Sequence, residues 1–452
     1  MSMKRILLVS HHFPPDSAVG GIRTAKFAKY LPRFGWEPVV LTVKEDYHPS
    51  IDDLIKEEPT YPVIRSAFVR NQSHYYRKLK RLLFGDAVLK PSALPGLDID
   101  NRKATLRDWF NAVTAFPDED TGWIPFAFFQ GRKAIRDFDI ECVFSSGPPH
   151  STHLLGAWLA KSARIPWIAD FRDPYFLGNR KNPAYEKLDK RLEAYFMSRA
   201  SFVLSTTQRL TDELMRRYPA HEHKFVTLPN GYDPDDFLNV PLDRATRFAI
   251  SYLGTLYRSR NPEPVLRAIA SLIEEEKLDR GRVALRFIGD CAYAAGRPME
   301  ALASEHHLTD NVEILPWVSK RQAFEIMAQS HVLLLLAENQ ELMIPAKVYD
   351  YLGAGADVLA LTEDGATADL LREVGQGNVH APNDLDGIKK SIEQSYRRYL
   401  ENPRRDRASS NTEGNSLSRY DRRALTQELA ELLDSAVLER GSERPHSPAP
   451  VA

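Results

Sequence analysis

The chain has 452 residues, 43% of them hydrophobic and 27% charged, and 60 basic side chains against 61 acidic ones leave a formal net charge of −1. That length holds two or three domains of ordinary size, the composition is that of a globular protein, and the balanced charge excludes a generic nucleic-acid binder. No run approaches the roughly 20 apolar residues of a membrane-spanning helix, and Cys142 and Cys291 form neither a metal nor a redox spacing.

The N-terminal stretch MKRILLVSHH is a short apolar run without a small-residue cleavage pattern, so no signal peptide is expected and a cytoplasmic location is. Predicted strands follow at 5–10, 37–43, 63–69, 140–145, 166–171, 201–206 and 225–228, then at 248–253, 283–288, 312–315, 331–337, 357–361 and 378–380. These runs are mostly uninterrupted, which suits strands covered on both faces. Helical patterns alternate with them, the signature of parallel α/β units joined by right-handed crossovers. The rhythm is played twice, so the predicted class is α/β with two Rossmann-like, doubly wound domains. The expected division is 1–237, a linker at 238–247 in a turn-rich stretch, 248–408, a polar break with a terminal helix in 409–440, and a disordered tail at 441–452.

In such folds chemistry sits at the carboxyl ends of strands. Four places there carry polar and glycine residues. After the first strand, SHHFPPDSAVGGIR brings Gly20 and Gly21 to a helix start, with Arg23 just inside it. Glycines let backbone amides approach a ligand, and a helix N-terminus favours anions; a plain βα loop is the alternative. The spacing is not a dinucleotide fingerprint. In SSGPPHSTH, His150 opens a helix and His153 follows on the same face, while the next strand ends in Asp170, with Arg172 and Asp173 after it. That cluster reads either as catalytic or as an internal ion pair.

In the second half, YLGTLYRSRNPEP places Gly254, Arg258 and Arg260 before a helix. Arginines beside a helix start suit a diphosphate through charge and fork geometry; solvated surface arginines are the alternative. The strand ending at Ala337 leads to IPAKVYDYLGAG, where Lys347 can hold phosphate oxygens and Asp350, one turn later, can accept from ribose hydroxyls. An exposed Lys–Asp pair is the competing reading.

From about Lys4 to Leu433 the chain resembles GT-B glycosyltransferases of the family 4 type. FPPD…GG…R is similar to that family's opening loop, GPPH to the motif whose histidine lies near the transferred sugar, and DFRD to a strand end lining the inter-domain cleft. LPNGYDPDDF matches the hinge motif at Pro229, Asn230, Gly231, Asp233 and Phe237, and IPAKVYDYLGAGADVLA resembles the donor-site stretch. The resemblance implies a retaining, metal-independent sugar transfer from a nucleotide diphosphate, a UDP-sugar by preference, with no further cofactor. His150, Asp170, Arg172 and Asp173 inherit catalytic positions. Gly20, Gly21, Arg23, Gly254, Arg258, Arg260, Lys347 and Asp350 inherit the donor site. Asp233, Asp235 and Asp236 are expected to cap and hydrogen-bond at the hinge rather than bind metal.

Two departures stand out. The family pairs glutamates eight positions apart; here Asp350 is the second, Leu342 stands at the first, and Glu338 and Glu341 are out of register. Thr255 replaces an expected arginine, and Arg260 stands roughly where a lysine is expected, with Arg258 able to compensate. Both point to an unusual donor.

HYYRKLKRLLFGDAVLK interleaves Arg77, Lys78, Lys80 and Arg81 with aromatic and apolar residues. Such a helix suits an anionic membrane surface and an acceptor that is a saccharide or lipid-linked; a solvated helix packed on the core is the alternative. Trp123 is either a second acceptor-side element or core filler. Rival classes are a sugar-nucleotide epimerase of the same fold, a non-catalytic sugar-nucleotide binder, and a two-lobed periplasmic-type binding protein. The first lacks a locatable acid pair, and the last is disfavoured by the absent signal peptide and the helix-rich second half.

Overall fold

The structure, a computed structural model, describes residues 3–16, 18–47, 59–69, 116–175, 183–238, 240, 245–256, 260–338, 340–402 and 416–442. It divides into two compact units, Met1–Leu228 with Thr426–Ala452, and Pro229–Leu425.

The first unit contains β1 (Lys4–Ser10), α1 (Val19–Tyr30), β2 (Trp36–Val43), β3 (Val63–Ser66), α2 (Ile124–Asp137), β4 (Cys142–Gly147), α3 (Ser151–Ala163), β5 (Trp167–Phe171), α4 (Pro183–Arg199), β6 (Phe202–Ser205), α5 (Gln208–Arg217) and β7 (Phe225–Thr227). The seven strands form one parallel sheet in the order β3-β2-β1-β4-β5-β6-β7. Ile6, Leu7, Leu8 and Val9 are all fully buried, which is why β1 carries no polar alternation. The order reverses between β1 and β4, so the loops that follow these two strands flank a topological switch point.

The second unit contains β8 (Phe248–Leu253), α6 (Glu263–Glu274), β9 (Val283–Ile288), the short antiparallel pair β10 (Tyr293–Ala294) and β11 (Arg297–Pro298), α7 (Met299–Glu305), β12 (Val312–Leu315), α8 (Lys320–Gln329), β13 (Val332–Leu336), α9 (Lys347–Ala354), β14 (Asp357–Leu361), α10 (Ala366–Val374), β15 (Asn378–His380) and α11 (Leu385–Glu401). Its parallel sheet runs β12-β9-β8-β13-β14-β15. Here the switch point lies between β8 and β13. Val265, Leu266, Ile269 and Leu272 supply α6 with a buried stripe at helical spacing, packed with Phe248 and Leu334. Phe324, Leu335, Tyr349 and Leu352 fill the other face of the sheet.

All thirteen predicted strands are present within a few residues of their expected bounds. The β10–β11 pair was not expected, because two residues leave no period to detect. The expected linker at 238–247 differs from the division in the structure, which falls between Leu228 and Pro229. The reason is packing: the Tyr232 N–H donates to Tyr420 O at 3.0 Å and Phe237 meets Phe324 edge-on at 4.7 Å, so the PNGYDPDDF segment belongs to the second unit. The terminal helix α12 (Arg422–Ser442) groups from Thr426 onward with the first unit, where Asp434 pairs with Lys4 at 2.8 Å and accepts from Trp36 Nε1 at 3.1 Å. The expected polar break at 409–418 lies largely outside the described residues, as does the expected tail.

Candidate functional site

In the first unit, Ser10 Oγ donates to His12 O at 2.7 Å, and His12 Nδ1 meets Asp16 Oδ2 at 2.6 Å. Asp16 Oδ1 accepts from the Ala18 N–H at 3.1 Å, closing the turn into α1. Gly20 and Gly21 are there for close approach. A Cβ at Gly20 would lie 2.6 Å from Arg172 Nη1, and one at Gly21 would lie 3.0 Å from the His12 carbonyl.

Arg23 and Asp170 meet in a buried ion pair, 2% and 0% exposed. Arg23 Nη2 donates to Asp170 Oδ1 at 2.9 Å and Nε to Oδ2 at 3.0 Å. Arg23 Nη2 also donates to Leu228 O at 2.8 Å, while Asp170 Oδ2 accepts from Ser146 Oγ at 2.7 Å. The first aspartate of DFRD therefore finds its arginine on α1, not within its own motif.

Arg172 clasps the loop ahead of His150. Its Nε donates to Gly147 O at 3.1 Å, its Nη2 to Pro148 O, and its backbone N–H to Gly147 O at 3.0 Å. Asp173 is exposed beside it. His150 stands at the start of α3, buried, with its ring 5.9 Å from Phe171 and 4.7 Å edge-on to Tyr175. His153 is fully buried and meets Ser145 Oγ through Nδ1 at 2.9 Å. Burial pushes its pKa down to about 3, so it is neutral. Sequence reasoning missed Asp118, whose Oδ2 accepts from the Ser151 N–H at 2.7 Å and caps α3 from 33 residues away. Burial raises its carboxyl above the usual range. Trp123 is core: fully buried, its Nε1 donates to Ser66 Oγ at 2.6 Å.

In the second unit three predicted donor-site residues gather on Tyr252, an aromatic residue at the end of β8 that sequence reasoning passed over. Lys347 Nζ lies 4.0 Å from the Tyr252 ring centre and donates to Leu253 O at 3.1 Å. Arg260 Nη1 donates to Thr255 O at 3.0 Å and lies 3.4 Å from the Tyr252 hydroxyl, which itself donates to Thr255 O at 2.8 Å. Gly254 has φ +128°, and a Cβ there would come within 3.7 Å of Lys347 Nζ. Gly289, at φ +117°, lets the neighbouring loop lie against Gly254, since its Cβ would stand 2.6 Å from Gly254 O. Burial, then the nearby Arg260 charge, holds the Lys347 ammonium well below the usual lysine range. Two cations held close at a switch point make a site for an anion. No side chain caps the start of α9, whereas α6 is capped by Asn261 Oδ1 on the Glu263 N–H at 3.0 Å. Asp350 is half-buried one helical turn beyond Lys347, and Arg258 lies outside the described residues.

The aspartates of the PNGYDPDDF segment serve structure. Asp233 accepts from the Asp235 N–H at 3.0 Å, Asp236 pairs with Lys320 at 3.2 Å and Asp235 with Arg423 at 2.5 Å. Among the described residues one group, Glu263, Glu305 and His306, has metal-ligand character, and Arg297 already pairs with Glu305.

The family model described as Glycosyltransferase Family 4 matches residues 95–236, and the one described as Glycosyl transferases group 1 matches residues 236–414. The chain belongs to the family 4-like GT-B glycosyltransferases. Among curated proteins, none matches in sequence. Solved structures share the fold. A glycosyltransferase from Rickettsia africae is 13% identical, with 97% of this chain and 99% of that one covered and a TM-score of 0.60. Anabaena HepE in complex with UDP-glucose is 13% identical over 96% of this chain and 100% of that one, with a TM-score of 0.58. WaaG, a glycosyltransferase involved in lipopolysaccharide biosynthesis, is 15% identical over 96% and 98%, with a TM-score of 0.51. No helix among the described residues of this glycosyltransferase is long and apolar enough to cross a membrane.

Proposed function

We propose that this glycosyltransferase retains anomeric configuration and moves a sugar from a nucleoside diphosphate, a UDP-sugar by preference, to an acceptor hydroxyl without a metal. The observation that carries the reading is the gathering of Lys347, Arg260 and Gly254 on Tyr252 at the switch point of the second unit. When the bond from the anomeric carbon to the phosphate oxygen breaks, the sugar gains oxocarbenium character and the diphosphate gains negative charge. Fixed cations stabilise that charge, and each such donor is worth ~10²–10³-fold in rate. Arg258 adds to this set, and Asp350 holds the ribose hydroxyls.

In the first unit, His150 positions the transferred sugar or polarises the acceptor, and Asp173, beside Arg172, shares that role. Arg172 holds the loop that presents His150, and the Arg23–Asp170 pair holds α1 against β5. Gly20 and Gly21 permit that packing. The HepE complex with UDP-glucose supports the donor class, and the lipopolysaccharide role of WaaG supports an acceptor that is a saccharide or a lipid-linked one. The enzyme then works in polysaccharide, lipid-linked saccharide or glycoconjugate biosynthesis in the cytoplasm. Residues 75–84, outside the described residues, bind the inner face of the membrane peripherally. Liposome flotation tests this last point: Arg77, Lys78, Lys80 and Arg81 changed to Glu should abolish flotation, and unchanged flotation removes the membrane contact.

A thermal-shift screen of UDP, GDP, dTDP and ADP with their sugar derivatives tests the donor, since a ligand bound only by the native form raises apparent stability. A shift with at least one pair, followed by transfer of labelled sugar to a glycan acceptor, is expected. No shift with any pair would remove the proposal.

A further inference from the structure

We infer that the outward face of α2 and α3 in the first unit docks on an anionic membrane surface, its aromatic rings entering the lipid boundary and its cations meeting the headgroups. The inference deepens the membrane contact proposed above and rests on a different part of the chain from residues 75–84.

The two helices pack side by side on one face of the sheet. Gly131 lets them lie close, since a Cβ there would stand 2.7 Å from Leu159 Cδ1. Ile124, Ala127, Gly131 and Ala134 recur at helical spacing and give α2 its buried stripe, and α3 buries Leu155, Leu159 and Ala160. The opposite stripe is not the polar one that folding alone would leave. Phe129 is 74% exposed, Trp158 42% and Phe126 40%. Among the described residues of the first unit these three are the exposed aromatic side chains. Single exposed rings are ordinary, whereas a group of them on adjoining helices marks a contact surface.

The charge beside the rings has one sign. Arg132, Lys133 and Arg136 continue the Phe126–Phe129 stripe along α2, Lys161 lies one turn beyond Trp158 on α3, and Arg164 follows that helix; all are exposed. Against them stand Asp137, which pairs with Arg136 at 3.2 Å, and Asp139. The chain as a whole is balanced, so this excess is local.

The partner has to be apolar and anionic together. A second copy of the chain would set cations against cations across a two-fold axis. A lipid surface meets both demands: aromatic rings settle at the headgroup level, and lysine and arginine are drawn to an anionic leaflet. The face is also aimed usefully. Helices that join parallel strands start at the carboxyl edge of the sheet, where His150 precedes α3. Phe126 lies in the first turn of α2, so the aromatic end of the face is the end nearest that edge. Docking brings the edge that carries His150 to the surface from which a lipid-linked acceptor is presented.

Cosedimentation of the full chain with vesicles tests this. The vesicles are phosphatidylcholine alone, or phosphatidylcholine with about a third phosphatidylglycerol. Wild type should bind the anionic vesicles and lose them at high salt. Phe126→Ser with Phe129→Ser should weaken that binding by about tenfold or more. Arg132→Gln, Lys133→Gln and Lys161→Gln together should weaken it by about tenfold to a hundredfold. Arg321→Gln, an exposed cation of the second unit, should change nothing. The quadruple variant of residues 77, 78, 80 and 81 separates the two contacts. If that variant alone loses binding, the inference is overturned and the earlier contact stands; if the α2–α3 variants lose binding, the inference holds whatever the quadruple variant does. Equal binding to both kinds of vesicle would overturn it, because the cations then play no part. No vesicle binding by wild type would bring down both contacts, and capture by polyglutamate beads in that case would assign the face to an acidic protein instead. Should the double aromatic variant fail to fold, Phe129→Gln alone decides: a loss of about threefold or more supports the inference and unchanged binding contradicts it.

Discussion

Asp170→Asn removes one charge from the buried pair with Arg23 and leaves the guanidinium 2% exposed without its counter-ion. Four charge-assisted contacts between 2.7 and 3.0 Å converge there, from Arg23 Nε and Nη2, from Ser146 Oγ and to Leu228 O. With charge centres roughly 4 Å apart and an effective dielectric of about 20, the attraction is about 4 kcal/mol. Removing one partner of such a pair costs ~3–5 kcal/mol, because the other charge stays buried. For a unit of this size ~1 kcal/mol moves the melting midpoint by ~2–4 °C, so Asp170→Asn and Arg23→Met should each lower it by about 10 °C. Differential scanning calorimetry of the first unit's transition reads this directly. The molecule has two units, so that transition and not a whole-chain midpoint is the proper quantity. The double variant should lose less than the sum of the singles, because neither charge is then stranded. Single-variant shifts under about 2 °C, or strict additivity, would show that the pair does not hold α1 to β5.

Lys347→Met should weaken nucleoside-diphosphate binding by about tenfold to a hundredfold. Because the folded protein holds the Lys347 ammonium well below its unfolded value, the folded state binds fewer protons between those two values, and stability rises as pH climbs through that window toward 10.5. A bound anion pulls the other way, so wild-type affinity should fall from pH 7 to pH 10 and titrations should show proton uptake, both absent in Lys347→Met. Trp123→Ala empties a fully buried site and strands Ser66 Oγ, and should cost the first unit ~3–5 kcal/mol in calorimetry. Gly289→Ala places a Cβ 2.6 Å from Gly254 O at φ +117°, and should cost ~1–3 kcal/mol and weaken donor binding without touching the ligand.

The architecture was legible because the strands are short apolar runs bounded by turn residues, most of them buried along their length, so β8, β9, β12, β14 and β15 have their expected bounds. The candidate site was legible in part for the same reason: strand ends are visible in sequence, and Gly254, Arg260 and Lys347 lie in the segments that follow β8 and β13. Pairings across long separations were not. Arg23 and Asp170 stand 147 positions apart, and no local pattern says that the arginine of the opening loop is consumed by the DFRD strand. Asp118 is a surface-like residue in sequence and becomes a helix cap only through the fold. Tyr252 looks like one more buried strand aromatic until Lys347 is seen over its ring. The segment after Leu228 is rich in turn formers, which signals a boundary, but which unit it joins depends on Tyr232 and Phe237 finding Tyr420 and Phe324.

Phosphorus NMR of a nucleoside diphosphate titrated with the protein tests the central claim most directly, because it reports on the phosphates themselves. With wild type, both phosphorus resonances of the diphosphate that gives a thermal shift should move and broaden, and Arg260→Ala and Lys347→Met should each abolish most of that change. Resonances that move equally with wild type and both variants would contradict the account.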